Sequence, residues 1–299
     1  MKLFAPLSFI WLCLAVVAAP ALSQDPFFDA NGVSIRYVDH GKGEAMVLLH
    51  GGTSSLESWV TQGILHNLAK DFRVIAFDAR GHGKSGKPRD AAAYGRQQAL
   101  DVARLLDHLK ISRAHIVGYS LGGSTVAQLL TLHPERFLTA TQVAAAGRSP
   151  VAANDPRIEI EAAEIEKECI SRSRIYRQAP PTAKPTEADY KARADACRAN
   201  KDFDPHSTAA SLRGYKDQAV TPDQMKAVKV PTLGVVGTLD HALQEMQELK
   251  RLRPNMTLVL VEGASHTGAT GILTRPELPA AIREFIAAQQ APASKPAPY

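Results

Sequence analysis

Apolar runs alternate with amphipathic stretches along the first half of the chain, and this alternation predicts strands separated by helices. Continuous apolar segments at 45–49, 72–78 and 114–117 are typical of strands buried on both faces of a parallel sheet. Between them, apolar residues recur at helical spacing over 59–69 and 94–109. The order strand, helix, strand, helix, strand predicts a mostly parallel sheet with right-handed crossovers and helices on both faces.

The pattern changes in the middle of the chain and returns afterwards. Residues 148–221 hold no long apolar strand and are rich in Glu, Lys, Arg, Ala and Pro, with helices predicted at 158–175 and 187–199. The helical spacing of apolar residues and two cysteines favour a packed helical cap over a partly disordered linker. The other predicted elements are a hairpin at 27–38, strands at 139–146, 231–237 and 256–261, and helices at 243–252 and 276–289.

These patterns divide the chain into a core, an insertion and two terminal segments. The length of 299 residues suits one large α/β domain with an insertion. We predict an α/β core at 24–147 and 222–290 and a helical cap at 148–221. The segment 291–299 has three prolines among nine residues, and we expect it to be a mobile tail.

The first residues have the features of a secretory signal peptide. Lys2 supplies a positive charge, residues 3–19 are nearly all apolar, and Ala21 and Ser23 are small residues before a cut at Gln24. We therefore predict a signal peptide at 1–23 and an exported protein, periplasmic or secreted, with no stable membrane association after cleavage. A retained membrane anchor is the alternative.

Cleavage would leave two cysteines, Cys169 and Cys197, in the predicted cap. An even number of cysteines in an oxidising compartment favours one disulfide between them. Both lie in helix-like sequence, so a bridge between two helices is sterically reasonable. Two free thiols are the alternative.

The overall composition is that of an ordinary globular protein. The hydrophobic fraction of 45% and the charged fraction of 22% argue against disorder and against several membrane spans. The formal net charge of +5 comes from basic residues that are scattered along the chain and not clustered with aromatic residues. We therefore expect no binding to nucleic acid.

The most informative stretch lies between the third predicted buried strand and the helix that follows it. It contains Gly118, Ser120 and Gly122 at the spacing G-x-S-x-G. In a sharp turn from strand to helix, this spacing forms a nucleophile elbow that exposes a serine hydroxyl above the sheet. Glycines at both flanking positions let the helix cross close to the strand. Ser120 is therefore the candidate nucleophile.

A serine nucleophile needs a base and an acid, and in an open α/β sheet these groups lie at the carboxyl ends of strands. Asp240 follows the strand at 231–237, and His266 follows the strand at 256–261. The order serine, aspartate, histidine is the order of this triad on this type of sheet. The neighbour His241 is a poorer base, since adjacent residues in a tight loop seldom direct their side chains at each other.

The oxyanion formed during catalysis needs backbone N–H donors. We assign one donor to Leu121, directly after the nucleophile, and the other to Gly52 in the loop after the first buried strand, with Thr53 as the alternative. Trp59 and Tyr119 are candidates for the substrate pocket, and core packing explains either of them equally well.

Five motifs together resemble the α/β-hydrolase superfamily, in its order and over nearly the whole chain except the cap. The motifs are His50-Gly51-Gly52, the turn Asp78–Ser85, the elbow Gly118–Gly123, Gly237–Asp240 and Gly263–His266. The resemblance implies the α/β-hydrolase fold, with a mostly parallel eight-stranded sheet flanked by helices. It also implies antiparallel first strands and a cap inserted after the sixth strand. Members with an aspartate nucleophile are disfavoured, because position 120 is serine.

These observations predict a serine hydrolase that cleaves a small carboxylic ester or related acyl compound through an acyl-enzyme. The chemistry requires no metal and no organic cofactor. C–C hydrolysis, perhydrolysis and acyl transfer by the same triad are alternatives, although Thr53 and the serines after Gly52 depart from the glycine-rich loop of meta-cleavage C–C hydrolases. A ligand-binding module with little turnover is another alternative, against which the complete triad argues.

Overall fold

The structure is a computed structural model that describes residues 25–179 and 183–290. The signal peptide predicted at 1–23 and the mobile tail predicted at 291–299 lie outside the described residues. Within the described ranges, no helix has the length and apolar character needed to cross a membrane.

A single eight-stranded sheet forms the centre of the molecule. Its strands are β1 (Phe27–Asp29), β2 (Ser34–His40), β3 (Ala45–Leu49), β4 (Arg73–Phe77), β5 (Ala114–Tyr119), β6 (Phe137–Val143), β7 (Thr232–Gly237) and β8 (Thr257–Val261). Their spatial order is β1-β2-β4-β3-β5-β6-β7-β8. The β1–β2 and β2–β4 pairs are antiparallel and all other pairs are parallel, which confirms the predicted α/β-hydrolase fold class.

Helices surround this sheet and fill the segment predicted as the cap. In the described ranges they are α1 (Glu57–Thr61), α2 (Ile64–Leu68), α3 (Arg96–His108), α4 (Leu121–Leu132), α5 (Pro150–Ala153), α6 (Arg157–Glu168), α7 (Arg172–Gln178), α8 (Glu187–Ala199), α9 (Pro205–Arg213), α10 (Pro222–Ala227), α11 (Leu243–Leu252) and α12 (Glu277–Gln290). The five helices α5 to α9 lie between β6 and α10. The cap boundaries at 148 and 221 stay a prediction.

The apolar runs of the sequence are strands covered on both faces. In β3, Val47 and Leu49 point to one side of the sheet and pack with α3, α4 and α11. Met46 and Leu48 point to the other side and pack with α2 and α12. Each face of the sheet is thus buried under helices, which is why alternation of polar and apolar residues is missing from these strands.

Two helices predicted as continuous are broken in the structure. The helix predicted at 59–69 is the pair α1 and α2, because Gly63 between them has a φ of 71°. The helix predicted at 158–175 is the pair α6 and α7, because Cys169 ends α6 with a φ of 68°. In each case one residue in the left-handed region stops the helix, although the apolar spacing continues past it.

Cys169 and Cys197 form the predicted disulfide, with Cα atoms 6.0 Å apart. It joins the end of α6 to the last turn of α8 and closes a loop across a sequence separation of 28. A disulfide that closes a loop of this size stabilises the folded protein by about 3 kcal/mol, because it restricts the conformations of the unfolded chain. The disulfide therefore holds together the part of the cap that follows α6.

We expect replacement of both Cys169 and Cys197 by serine to lower the free energy of unfolding by about 3 kcal/mol. Urea unfolding followed by circular dichroism measures this change. Dithiothreitol should shift the wild-type protein to the same stability and leave the double variant unaffected. Equal stability of the oxidised wild type and the double variant would contradict the proposed contribution.

Candidate active site

Ser120 lies in a sharp turn between β5 and α4, as predicted from G-x-S-x-G. Its φ is 52°, a region that non-glycine residues rarely adopt. Its N–H donates to the Val143 carbonyl at 2.9 Å, and the N–H of Gly122 donates to the His50 carbonyl at 3.1 Å. Neighbouring strand ends thus hold the strained turn in place, which is the local structure of a nucleophile elbow.

The motif glycines are required by close backbone contacts. A Cβ atom at Gly118 would lie 2.2 Å from the Gly122 carbonyl oxygen. A Cβ atom at Gly122 would lie 2.3 Å from the carbonyl oxygen of Leu49. Both contacts are with backbone that cannot rotate away, so α4 lies against β5 and β3 at a distance that only glycine permits.

A chain of hydrogen bonds links Ser120, His266 and Asp240. The Ser120 Oγ atom is 2.9 Å from His266 Nε2, and His266 Nδ1 is 2.9 Å from Asp240 Oδ1 and 3.0 Å from Oδ2. Asp240 is buried and also accepts from the N–H of Ala242 at 2.9 Å. The three side chains, separated by up to 146 positions in sequence, have the geometry of a nucleophile, a base and an orienting acid.

Tyr119 supports this arrangement through its contacts with His266. Its hydroxyl donates to the His266 carbonyl at 2.6 Å, and the two ring centroids are 5.3 Å apart. Burial raises the pKa of the Tyr119 phenol, so the hydroxyl keeps its proton and stays a donor. Tyr119 lines the cavity as predicted, but its contact with His266 is a positioning role that the sequence did not indicate.

His241 lies beside the same carboxylate but does not take the place of His266. Its Nδ1 is 3.5 Å from Asp240 Oδ1, and its ring centroid is 4.3 Å from that of His266. The pKa of His241 is lowered, mainly by burial and to a smaller extent by the neighbouring His266. The expectation that adjacent residues would point apart is therefore only partly met, although His266 makes the shorter bonds and reaches Ser120.

Asp240, His241 and His266 also place potential metal-ligand atoms within 4.8 Å of one another. A carboxylate and two imidazoles are a donor set that zinc accepts. Both ring nitrogens of His266 are already hydrogen bonded, one to Asp240 and the other to Ser120. Metal binding would require those bonds to break, so the hydrogen-bonded triad explains the cluster better.

His50 fixes the loop that carries Gly52. Its Nε2 accepts from the N–H of Ala79 at 3.0 Å, so this nitrogen is unprotonated and Nδ1 donates to the Gly51 carbonyl at 2.7 Å. Burial lowers the pKa of His50 to about 4. The pKa of His82 is also lowered to about 4, mainly by burial and to a smaller extent by the adjacent His50. Both rings are therefore neutral in the folded protein near pH 7.

These two histidines predict a loss of stability in mild acid. Because the pKa of an unfolded histidine is near 6.5, the unfolded chain binds more protons than the folded one between pH 4 and 6.5. We expect the free energy of unfolding to fall from pH 7 to pH 5 by about 2 kcal/mol for each histidine. Urea titrations at both pH values measure this change.

The variant His82→Gln should reduce the pH dependence, because it removes one of the two buried histidines. Equal stability of the wild-type protein at pH 7 and pH 5 would contradict burial of two neutral histidines.

Of the predicted oxyanion-hole residues, Leu121 is part of the elbow and Gly52 lies in the loop after β3. Leu121 is the first residue of α4, so its N–H has no partner one turn earlier within the helix. A Cβ atom at Gly52 would lie 3.8 Å from the Leu121 side chain, which brings the two backbones together beside Ser120. Thr53, the alternative donor, follows with a φ of 57°.

Ser120 and His266 open into a cavity of about 910 Å³. Gly52, Leu121 and Tyr119 also line it, together with residues of the cap. Trp59 does not, and the prediction that it lines the pocket is wrong. It is completely buried in the core with residues of β3 and α2, because α1 turns its ring under the sheet face.

The cap and α11 contribute a charged lining that sequence reasoning missed. The charged residues on the cavity are Arg148, Asp155, Arg157, Glu161, Arg174, Arg177 and Glu245. The signal was present in two places, in the Arg- and Glu-rich composition of the cap and in Arg148, which lies five residues after the end of β6. Their convergence depends on how α5 to α7 fold over Ser120, which periodicity does not indicate.

Comparison with known proteins agrees with the fold and the elbow. Residues 44–166 match the family model described as alpha/beta hydrolase fold. The chain is 38% identical over 122 residues to the dihydrolipoyllysine-residue acetyltransferase component of the acetoin cleaving system of Cupriavidus necator, covering 40% of this chain and 32% of the relative. It is 36% identical over 116 residues to 2-hydroxy-6-oxo-6-(2'-aminophenyl)hexa-2,4-dienoic acid hydrolase of Metapseudomonas resinovorans, covering 36% of this chain and 38% of the relative. The match thus spans less than two fifths of either relative's length.

Solved structures are similar over most of the chain. The enol-lactonase of Burkholderia xenovorans LB400 has a TM-score of 0.66 and 25% identity, covering 88% of this chain and 99% of that chain. A structure from a study of carboxylesterases of Nitrososphaera gargenis has a TM-score of 0.70 and 21% identity, covering 88% of this chain and 98% of that chain. With the sheet order and the elbow, these similarities show that the chain has the α/β-hydrolase fold.

Proposed function

We propose that this protein is a serine hydrolase that cleaves carboxylic esters through an acyl-enzyme. The observation that carries the proposal is the hydrogen-bond chain from Ser120 Oγ through His266 to the buried carboxylate of Asp240. A neutral histidine within 2.9 Å of the hydroxyl can accept its proton during attack on a carbonyl carbon. Hydrolase relatives and esterase-like structural neighbours support the same class of reaction.

In the first half of the reaction, Ser120 Oγ attacks the ester carbonyl while His266 Nε2 takes the hydroxyl proton. Asp240 holds His266 in the tautomer that carries its proton on Nδ1, and it stabilises the imidazolium that forms. The carbonyl oxygen becomes an oxyanion, which the N–H groups of Leu121 and Gly52 stabilise. The tetrahedral intermediate then breaks its bond to the alcohol oxygen, which leaves with the proton from His266.

In the second half, a water molecule replaces the alcohol. His266 takes one proton from the water as its oxygen attacks the acyl carbon, and the same oxyanion site is used again. The bond to Ser120 breaks, the proton returns to Oγ, and the carboxylic acid is released. Ester and water are consumed and acid and alcohol are formed, with the enzyme restored and no cofactor needed.

An alternative reaction on the same residues is hydrolysis of a carbon–carbon bond next to a ketone. The Metapseudomonas resinovorans relative, a hydrolase of a 6-oxo-hexadienoic acid by its name, makes this the second candidate. Reactions that start from an aspartate nucleophile are disfavoured, since position 120 is serine.

A substrate panel tests the proposal. The mature protein is assayed on 4-nitrophenyl esters of graded chain length, on lactones and on diketones, with the Ser120→Ala variant as the background rate. We expect turnover of esters or lactones that is unaffected by EDTA. Turnover of diketones alone would favour the second candidate, and loss of activity with EDTA would favour a metal at Asp240, His241 and His266.

We also propose that the protein is exported, on the strength of the signal-like sequence at 1–23 and the disulfide in the cap. Fractionation of the native host with N-terminal sequencing tests this. Protein found outside the cytoplasm and beginning near Gln24 is the expected result, and full-length protein in the cytoplasm would contradict it.

A further inference from the structure

Arg148 occupies a special position in the cavity above Ser120. It follows β6 at the carboxyl edge of the sheet, and its carbonyl accepts from the N–H of Val220 at 2.8 Å. Its guanidinium carbon lies 3.6 Å from the ring centroid of Tyr215. The backbone bond and the aromatic ring hold the side chain against the cavity wall.

Arg148 is connected to the elbow through Tyr215. The guanidinium of Arg148 packs on the ring of Tyr215. Tyr215 belongs to the same apolar cluster as Leu121, the residue after the nucleophile. Ser120 and Arg148 line the same cavity. A small molecule that extends along this cavity from Ser120 can therefore also contact Arg148.

The other arginines on the cavity are already paired. Glu161, which is buried, forms ion pairs with both Arg174 and Arg177. Arg157 forms an ion pair with Asp155. Each of these three guanidinium groups therefore has a carboxylate partner within the cap.

Arg148 differs from these three arginines. It forms no ion pair with any carboxylate in the part of the chain that the structure describes, and its buried Nε has no hydrogen-bond partner there. Glu161 and Glu245 attract it only at longer range, and burial lowers the pKa of Arg148 without removing its charge. Arg148 is half-buried, and partial desolvation of a guanidinium without a bonded partner is costly, so an anionic ligand would offset part of that cost.

The balance of charge around the cavity leads to the same conclusion. Four arginines face three carboxylates, which leaves one positive charge in excess. A planar guanidinium binds a carboxylate through two parallel hydrogen bonds, which fixes the orientation of the ligand. One substrate carboxylate would balance the charge of the cavity lining.

We propose that Arg148 is a specificity-determining residue that binds a carboxylate on the substrate, so that the preferred substrates are esters carrying a second, anionic group. This inference rests on the proposed ester hydrolysis and names its substrate class. The carboxylate can belong to the acyl part, as in a dicarboxylic half-ester, or to the alcohol part, as in an acylated hydroxy acid.

Two matched pairs of substrates separate these sources. On the acyl side, 4-nitrophenyl hemisuccinate is compared with 4-nitrophenyl butyrate. On the alcohol side, 3-acetoxybenzoate is compared with its methyl ester. We expect the wild-type protein to have at least about tenfold higher kcat/KM for the anionic member of one pair.

The variant Arg148→Met removes the charge and keeps a side chain that can pack on Tyr215. It is expected to lower the ratio of kcat/KM for the anionic over the neutral substrate by about tenfold or more, and Arg148→Lys should restore part of it. The matched control is Arg157→Met, which removes a paired arginine from the same cavity and should change the ratio less than about twofold.

The proposal is overturned if the wild type prefers the neutral member of both pairs, or if Arg148→Met lowers activity on both members equally. The wild-type preference decides the question even if a variant does not fold. Failure of the proposed ester hydrolysis gives a different result, since no member of either pair would then be turned over.

Discussion

Replacement of Ser120 by alanine is expected to lower kcat for ester hydrolysis by about 10⁴- to 10⁶-fold. The alanine has no oxygen to attack the carbonyl, and His266 then has no hydroxyl from which to take a proton. Residual activity would come from the oxyanion donors and from binding alone. Steady-state kinetics on the best ester from the substrate panel measure the effect.

The fold should tolerate this change, because the contacts that hold the elbow are made by backbone groups. Ser124 provides a matched control, since it lies one turn further along α4 and lines the same cavity. The variant Ser124→Ala should keep kcat within about tenfold of the wild type. If Ser120→Ala retained a tenth or more of wild-type kcat, Ser120 would not be the nucleophile.

Replacement of Asp240 by asparagine is expected to lower kcat by about 10⁴-fold with little change in KM. The carboxylate accepts a hydrogen bond from the N–H at His266 Nδ1, which leaves Nε2 free to accept from Ser120. An asparagine NH₂ would instead donate to Nδ1 and place the proton on Nε2, the wrong tautomer for a base. Kinetics of the purified variant, with circular dichroism to verify the fold, measure this loss.

The variant His241→Gln is the matched control for substitutions of the acid, Asp240, and of the base, His266. His241 touches the His266 ring and approaches the same carboxylate, but it makes no bond to Ser120. We expect it to change kcat less than about tenfold. A larger loss of kcat in His241→Gln than in Asp240→Asn would contradict the assignment of the orienting role to Asp240 and of the base to His266.

Much of the fold could be predicted because its signals are local. Strands buried on both faces have unbroken apolar runs, and the glycines of the elbow mark a contact that no other residue permits. The breaks at Gly63 and Cys169 could not be predicted from apolar spacing, which continues across them. The helix Pro205–Arg213 was missed as well, although Asp204 before a proline is an N-terminal helix signal.

The triad could be predicted because topology alone brings strand ends together. Asp240 and His266 each follow a parallel strand, so they meet Ser120 at one edge of the sheet. The pocket could not be predicted in the same way. The side chain of Trp59 is buried in the core. Arg148 could be identified as a ligand-binding candidate only because the structure shows that the arginines around it already form ion pairs.

The most direct test of the proposed mechanism is covalent labelling by a fluorophosphonate, which reacts with a serine only when a base activates it. Intact mass and peptide mapping of the labelled protein measure how many molecules react and where. We predict one label per molecule at Ser120 in the wild type, little label in Asp240→Asn and none in Ser120→Ala. A folded wild type that stays unlabelled, or equal labelling of Ser120→Ala, would contradict a serine hydrolase built on Ser120, His266 and Asp240.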